Sequence, residues 1–144
     1  MQLRLHSDPG WRGVKVIFSD ASVPGEGEHK IFARIRDQAT YHAKTRTLVY
    51  GLDADLMMLA VLHAGGCAAL GLYRETPHFI RSVAKGLDPS RSYVLDAAAL
   101  AGRLRAEIHG SHEDYVVACF LLGNDFLPHF PSLSLRDDGH AIVL

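Results

Sequence analysis

Three short glycine-marked acidic motifs divide this chain: Gly25-Glu26-Gly27-Glu28-His29-Lys30, Gly51-Leu52-Asp53-Ala54-Asp55-Leu56 and Gly123-Asn124-Asp125-Phe126-Leu127-Pro128. Each lies where a strand-like or helix-like run stops, so the acidic residues belong to element ends and not to element interiors. Chain ends can gather such residues at one place, which makes Glu26, Glu28, Asp53, Asp55 and Asp125 the candidate site. A cluster of this kind repels itself. Two bare carboxylates about 4 Å apart cost on the order of 4 kcal/mol at a surface-like effective dielectric. Hard divalent cations relieve that repulsion, because Mg2+ and Mn2+ prefer oxygen ligands and keep part of their water.

The runs between the motifs read as alternating elements. Residues 14–18 are a β-branched run bounded by Gly13 and by Ser19-Asp20, which predicts a buried strand. A loop with Pro24 and two glycines then leads into a helix from Glu28 to about His42, with Ile31, Ile35 and Ala39 on one face and basic residues on the other. Residues 47–52 predict a second strand, and residues 56–63 a helix so apolar that it must be buried on several sides before Gly65-Gly66 ends it. Residues 68–73 and 93–95 predict further strands, separated by an irregular stretch with Pro77, Gly86 and Pro89 as breakers. Asp96 caps a helix carrying Leu100, Leu104 and Ile108, which Gly110 closes. Ser111-His112-Glu113-Asp114 is a capping-box-like start for a last helix through Leu122, terminated by Gly123. Strands alternating with helices imply an α/β fold with parallel strand pairs.

At 144 residues with 48% hydrophobic content, the chain suits one globular domain with a real core. The net charge of −1 conceals a split, since Lys30, Arg34, Arg36, Lys44 and Arg46 follow the first acidic motif closely. That asymmetry suits a polyanion approaching a metal site, while the small net charge argues against tight non-specific binding by this chain alone. Cys67 and Cys119 are isolated, so neither a disulfide framework nor a zinc ribbon is indicated. No apolar run reaches membrane-spanning length and residues 1–13 lack a signal-peptide core, so an intracellular protein, cytoplasmic or nuclear, is expected.

Each motif also has a plainer explanation. Asp53 and Asp55 can face the same side while the chain stays extended, at the carboxyl end of a strand where open α/β sheets place their sites, yet either could simply cap the next helix. Glu26 and Glu28 open a helix, where the dipole favours a carboxylate without any metal, although the glycines between them let the backbone turn so that both converge. Asp125 alone would read as an Asx-type turn. His29 and Lys30 are candidates for contact with nucleic-acid phosphate, with exposed first-turn residues as the alternative. His109 and His112 read as ordinary loop histidines, and Asp20 and Asp137-Asp138-Gly139 as turns.

The stretch Val16-Ile17-Phe18-Ser19-Asp20-Ala21-Ser22-Val23-Pro24-Gly25-Glu26-Gly27-Glu28-His29-Lys30-Ile31 closely resembles the nuclease core of the 5′-to-3′ exoribonuclease (Xrn) family. So do Tyr50-Gly51-Leu52-Asp53-Ala54-Asp55-Leu56 and Gly123-Asn124-Asp125-Phe126-Leu127-Pro128-His129, in the family's order. The resemblance implies a three-layer α/β core like that of PIN and flap-endonuclease domains, with a mostly parallel sheet. It implies hydrolysis of RNA bearing a 5′-monophosphate, one nucleotide at a time, with Glu26, Glu28, Asp53, Asp55 and Asp125 as metal-binding carboxylates. Two Mg2+ ions about 4 Å apart, with Mn2+ as the alternative ion, would activate water and stabilise the leaving 3′ oxygen. Family members begin with a segment supplying two further aspartates, a central strand and the basic pocket for the 5′-phosphate. Residues 1–13 contain nothing like it, so they read as a polar N-terminal extension and residues 14–144 as a partial nuclease domain lacking its N-terminal strands. The chain by itself is accordingly expected to be weakly active or inactive, with that segment as its partner. The rival readings are a flap-type DNA endonuclease and a non-catalytic pseudo-nuclease or nucleic-acid-binding fragment.

Overall fold

The acidic motifs fall where described helices or strands begin or end. The computed structural model of the chain describes residues 8–51, 53, 55–75, 85–108, 110–124 and 127–133. Among these residues the α-helices are α1 (Gly27–Asp37), α2 (Ala39–His42), α3 (Asp55–His63), α4 (Ala97–Glu107) and α5 (His112–Phe120), and the strands are β1 (Arg46–Tyr50), β2 (Ala69–Arg74) and β3 (Tyr93–Asp96). The strands lie in the order β1-β2-β3.

β1 and β2 run parallel, from Arg46 opposite Ala69 to Tyr50 opposite Tyr73, with α3 as their crossover. β3 is antiparallel to β2, with Arg74 opposite Tyr93 and Gly71 opposite Asp96. The sheet is therefore mixed, where the sequence suggested mostly parallel pairs. The start of β3 lies beside the end of β2, as the register of Arg74 against Tyr93 shows.

One sheet face carries the core. Val49, Leu70 and Leu72 are buried there, with Leu95 packed beside them, under Ala60 and Val61 of α3 and Ala97 and Ala101 of α4. The three alanines have no accessible surface, so both helices come close to the sheet. Phe32 and Ile35 of α1 and Val116 of α5 complete the cluster. On the other face Leu48, Tyr50 and Val94 are exposed, and a Cβ at Gly71 would lie 2.8 Å from Val94 Cγ1 and 3.2 Å from Leu48 Cδ1.

Local signals account for the helix starts. Asp96 accepts from the backbone N–H of Ala98 and Ala99, and Ser111 and Asp114 form a capping box at α5, as the sequence indicated. The first helix, expected to continue to about His42, breaks at Gln38 (φ −115, ψ 37), which leaves α2 as a single turn. α5 stops at Phe120, two residues earlier than expected.

Residues 14–18 are the clearest correction. They form no strand: Ile17 is 58% and Phe18 62% exposed, and no described strand pairs with them. β-Propensity reflects fit to a neighbouring pleated surface, and this run has no such neighbour among the described strands. Among the described residues, no helix is long and apolar enough to cross a membrane.

Candidate metal centre

The first motif is shaped by Gly25, whose φ of +101 swings the chain so that Glu26 becomes the N-cap of α1. The Glu26 side chain makes no capping hydrogen bond to the α1 backbone. Glu26, Glu28 and His29 each bring one ligand atom within 4.8 Å of the other two. All three stand at the N-terminus of α1, Glu26 as its N-cap and Glu28 and His29 in its first turn, where the helix dipole favours negative charge. Lys30 donates from Nζ to the Asp20 carbonyl oxygen at 2.8 Å, fastening the loop that precedes the motif. Asp20 accepts from the Ser22 hydroxyl and, at 2.9 Å, from its backbone N–H. The bond from the Ser22 hydroxyl is the first cause that holds the Asp20 carboxyl below its ordinary value, so Asp20 does turn chemistry, as read. His29 is exposed in the first turn of α1, one of the two sequence readings, and it also joins the acidic group, which the sequence had not indicated.

The second motif follows β1. Gly51 leaves room for the Leu56 side chain, which would collide with a Cβ there, and Asp55 opens α3 half-buried. Asp53 is exposed at the strand's end. Close by, the Tyr50 hydroxyl donates to Glu75 Oε1 at 2.9 Å, the main reason its own proton is held more tightly than usual.

The third motif hangs on Gly123, with φ +88. Beyond it, the Asn124 N–H donates to the Leu127 carbonyl at 2.9 Å, the Leu127 N–H to Asn124 Oδ1 at 2.8 Å, and the Phe130 N–H to the Leu121 carbonyl at 2.8 Å. Asp125 lies outside the described residues. His112, expected in a loop, is the first residue of α5, and its Nδ1 lies 3.0 Å from Glu113 Oε2; His109 and residues 137–139 are outside the described residues.

One cavity of about 540 Å3 joins the motifs: Glu28 and His29 from the first, Asp55 from the second, and Gly123, Asn124 and Leu127 from the third line it. Its floor is apolar, built by Met58, Leu59 and Leu62 of α3 and by Val116 and Phe120 of α5. Tyr115 and Cys119 complete that floor as neutral groups. Burial, then a hydrogen bond to Cys119, pushes the Tyr115 hydroxyl up to about 12, and burial raises the Cys119 thiol. The structure thus brings Glu28 and Asp55 to one cavity, sets Glu26 beside Glu28, and leaves Asp53 off the lining. The sequence reading missed the apolar floor, although the all-round apolarity of residues 56–63 was its signal.

Carboxylate oxygens with one imidazole nitrogen are a donor set for a divalent cation and not for a soft thiolate-seeking metal. Fold and site together define an α/β protein with an acidic group, at metal-ligating spacing, beside a cavity where α1 and α3 begin and α5 ends. Residues 1–70 match the family described as XRN 5'-3' exonuclease N-terminus, and residues 107–144 match the Xrn1 helical domain. The chain is 39% identical to 5'-3' exoribonuclease 2 of Yarrowia lipolytica over 157 residues, covering 98% of this chain and 15% of that protein. It is 34% identical to the Debaryomyces hansenii protein of the same name (98% of this chain, 17% of that one) and 31% identical to that of Arabidopsis thaliana (100% and 18%). The chain belongs to the Xrn family. It spans between 15% and 18% of the length of these relatives. The cavity lies at the seam of the two family regions, with Glu28 to Leu62 from the first and Tyr115 to Leu127 from the second.

Proposed function

We propose that this chain contributes the carboxylates of a metal-dependent 5′-to-3′ exoribonuclease centre acting on RNA that carries a 5′-monophosphate. The observation that carries the reading is the shared cavity, lined by residues of all three acidic motifs although the first and last are about a hundred residues apart. Glu26, Glu28, Asp53, Asp55 and Asp125 are the proposed ligands of Mg2+, two ions in the full centre, with Mn2+ as a substitute. When bound, such ions supply Lewis-acid activation of a water and charge relief at the leaving 3′ oxygen.

The chain's own residues do the placing. α1 and α3 both start at the cavity, so two helix N-termini offset the acidic charge and favour an incoming phosphate. The apolar floor strengthens electrostatic interactions near it by excluding water. His29 and Lys30 are the proposed phosphate contacts of the first motif, with the Lys30 ammonium keeping donors beyond the one given to Asp20.

A three-layer flap-endonuclease-like core is part of the same proposal. α3 and α4 cover one sheet face, and the exposed Leu48, Tyr50 and Val94 support a covering layer on the other. We assign that layer, two further aspartates and the 5′-phosphate pocket to protein outside these residues. The uncovered apolar run at 14–18 supports the assignment.

A chimera tests the proposal. In Yarrowia lipolytica 5'-3' exoribonuclease 2, the matched stretch is replaced by this chain. The folded chimera should release mononucleotides from 5′-monophosphorylated RNA in Mg2+, and Asp55→Asn should abolish release. A folded chimera that spares RNA refutes the proposal, and preference for flap DNA transfers it to the endonuclease rival. The chain alone should show little turnover. Robust degradation by it, lost in Asp53→Asn, would remove the need for aspartates from elsewhere.

A further inference from the structure

α1 and α3 carry two of the acidic motifs at their first turns, and they touch again at their last. Arg36 Nη1 lies 2.9 Å from His63 Nε2, and His63 Nδ1 lies 2.7 Å from the Leu59 carbonyl oxygen. A guanidinium only donates and a carbonyl only accepts, so the roles of the ring are fixed. Nδ1 is then the donor to Leu59 and Nε2 the acceptor from Arg36. Phe32 holds the ring from the side, with centroids 4.7 Å apart, and has no accessible surface. Among the described residues Arg36 is the one charged group recorded against His63.

The spacing gives this contact its consequence. Glu28, Phe32 and Arg36 follow one another at four-residue intervals along α1, and Asp55, Leu59 and His63 do the same along α3. Residues four apart share a helix face, so each helix has one stripe running from a carboxylate to the clamp. In both stripes the carboxylate precedes the clamp residue by eight positions, roughly 12 Å of helix rise. Glu28 and Asp55 line one cavity at one end, and Arg36 and His63 are bonded at the other. The two helices are thus laid side by side in the same direction, with arms of equal length.

We infer that Arg36 and His63 are positioning residues that set α1 against α3, so that Glu28 and Asp55 face each other across the cavity. The inference rests on the metal-centre reading for its purpose, but its geometry can be tested without a metal. Losing the Arg36 bond frees α1 to pivot about Phe32, and the displacement is felt at the far carboxylate. A glutamine at 63 can donate from its amide nitrogen to Leu59 and accept from Arg36 at its amide oxygen, so it should preserve the clamp.

The test compares the wild-type chain with Arg36→Ala and His63→Gln. Nitrogen-15 spectra of the wild type should report hydrogen on Nδ1 of His63. Arg36→Ala should move the backbone amide resonances of Glu28 and Asp55 and weaken Mn2+ binding about tenfold, the usual scale for an outer residue that orients a ligand. It should leave the melting temperature nearly unchanged, because Arg36 is exposed. His63→Gln should retain wild-type Mn2+ affinity and wild-type amide positions at Glu28 and Asp55. Unmoved Glu28 and Asp55 amides in Arg36→Ala, with changes confined to the last turns of α1 and α3, would overturn the clamp. If the wild-type chain takes up no Mn2+, the metal-centre reading is what fails, and the amide shifts alone still decide the clamp.

Discussion

Gly123→Ala is the sharpest single perturbation of the fold around the cavity. Gly123 has φ +88, and a Cβ built there lies 2.7 Å from the His129 backbone nitrogen and 3.1 Å from the His129 Cα and Cβ. Holding a non-glycine residue in the left-handed region costs roughly 1–2 kcal/mol. The obstacle is backbone, which cannot rotate aside, so a further cost of about 1–2 kcal/mol is expected from overpacking. The sum, about 2–4 kcal/mol, is a large share of the ~5–15 kcal/mol available to a domain. Gly102→Ala is the matched control: it lies in α4 with nothing within 4 Å of the added methyl. There the same chemical change should stabilise by about 0.5–1 kcal/mol, because alanine loses less backbone freedom in a helix. Urea unfolding followed by circular dichroism should therefore give shifts of opposite sign. Equal midpoints for the two variants, or a greater loss from Gly102→Ala, would refute the reasoning.

Two further outcomes follow from packing and titration. Phe32→Ala, which empties a fully buried ring position beside His63, should cost about 3–5 kcal/mol in urea unfolding, and a loss under about 1 kcal/mol would mean that α1 is not anchored there. Asp114 Oδ2 accepts from the Ser111 N–H at 2.8 Å and from its hydroxyl at 2.9 Å, which holds its carboxyl below the ordinary 3.8. A lowered folded value means stability that is present above the unfolded value and lost as pH falls through the folded one. Between pH 6 and 3, wild-type stability should thus fall more steeply than that of Asp114→Asn, and parallel curves would contradict the capping account.

The parts of the fold that were legible in the sequence are those governed by neighbours along the chain. Asp96 and Ser111 with Asp114 announced their helices because a cap is satisfied within three residues. The acidic motifs announced element ends for the same reason. What depended on distant partners was not legible. Residues 14–18 have strand composition and no described strand beside them, and the antiparallel pairing of β3 with β2 is set between residues about twenty positions apart. Gln38 breaks the first helix without a proline or glycine to signal it. His29 joins the acidic group because the third residue of α1 lies on the same side as its N-cap, which composition does not display. The Arg36–His63 bond spans 27 positions and left no trace in local periodicity.

Mn2+ binding to the chain and to single variants from separate motifs tests the central claim most directly. Calorimetry and electron paramagnetic resonance should show Mn2+ uptake that Mg2+ displaces, and Glu28→Gln and Asp55→Asn should each weaken the same site by about tenfold or more with folding intact. Absence of uptake, or uptake indifferent to one of the two carboxylates, would contradict a shared centre.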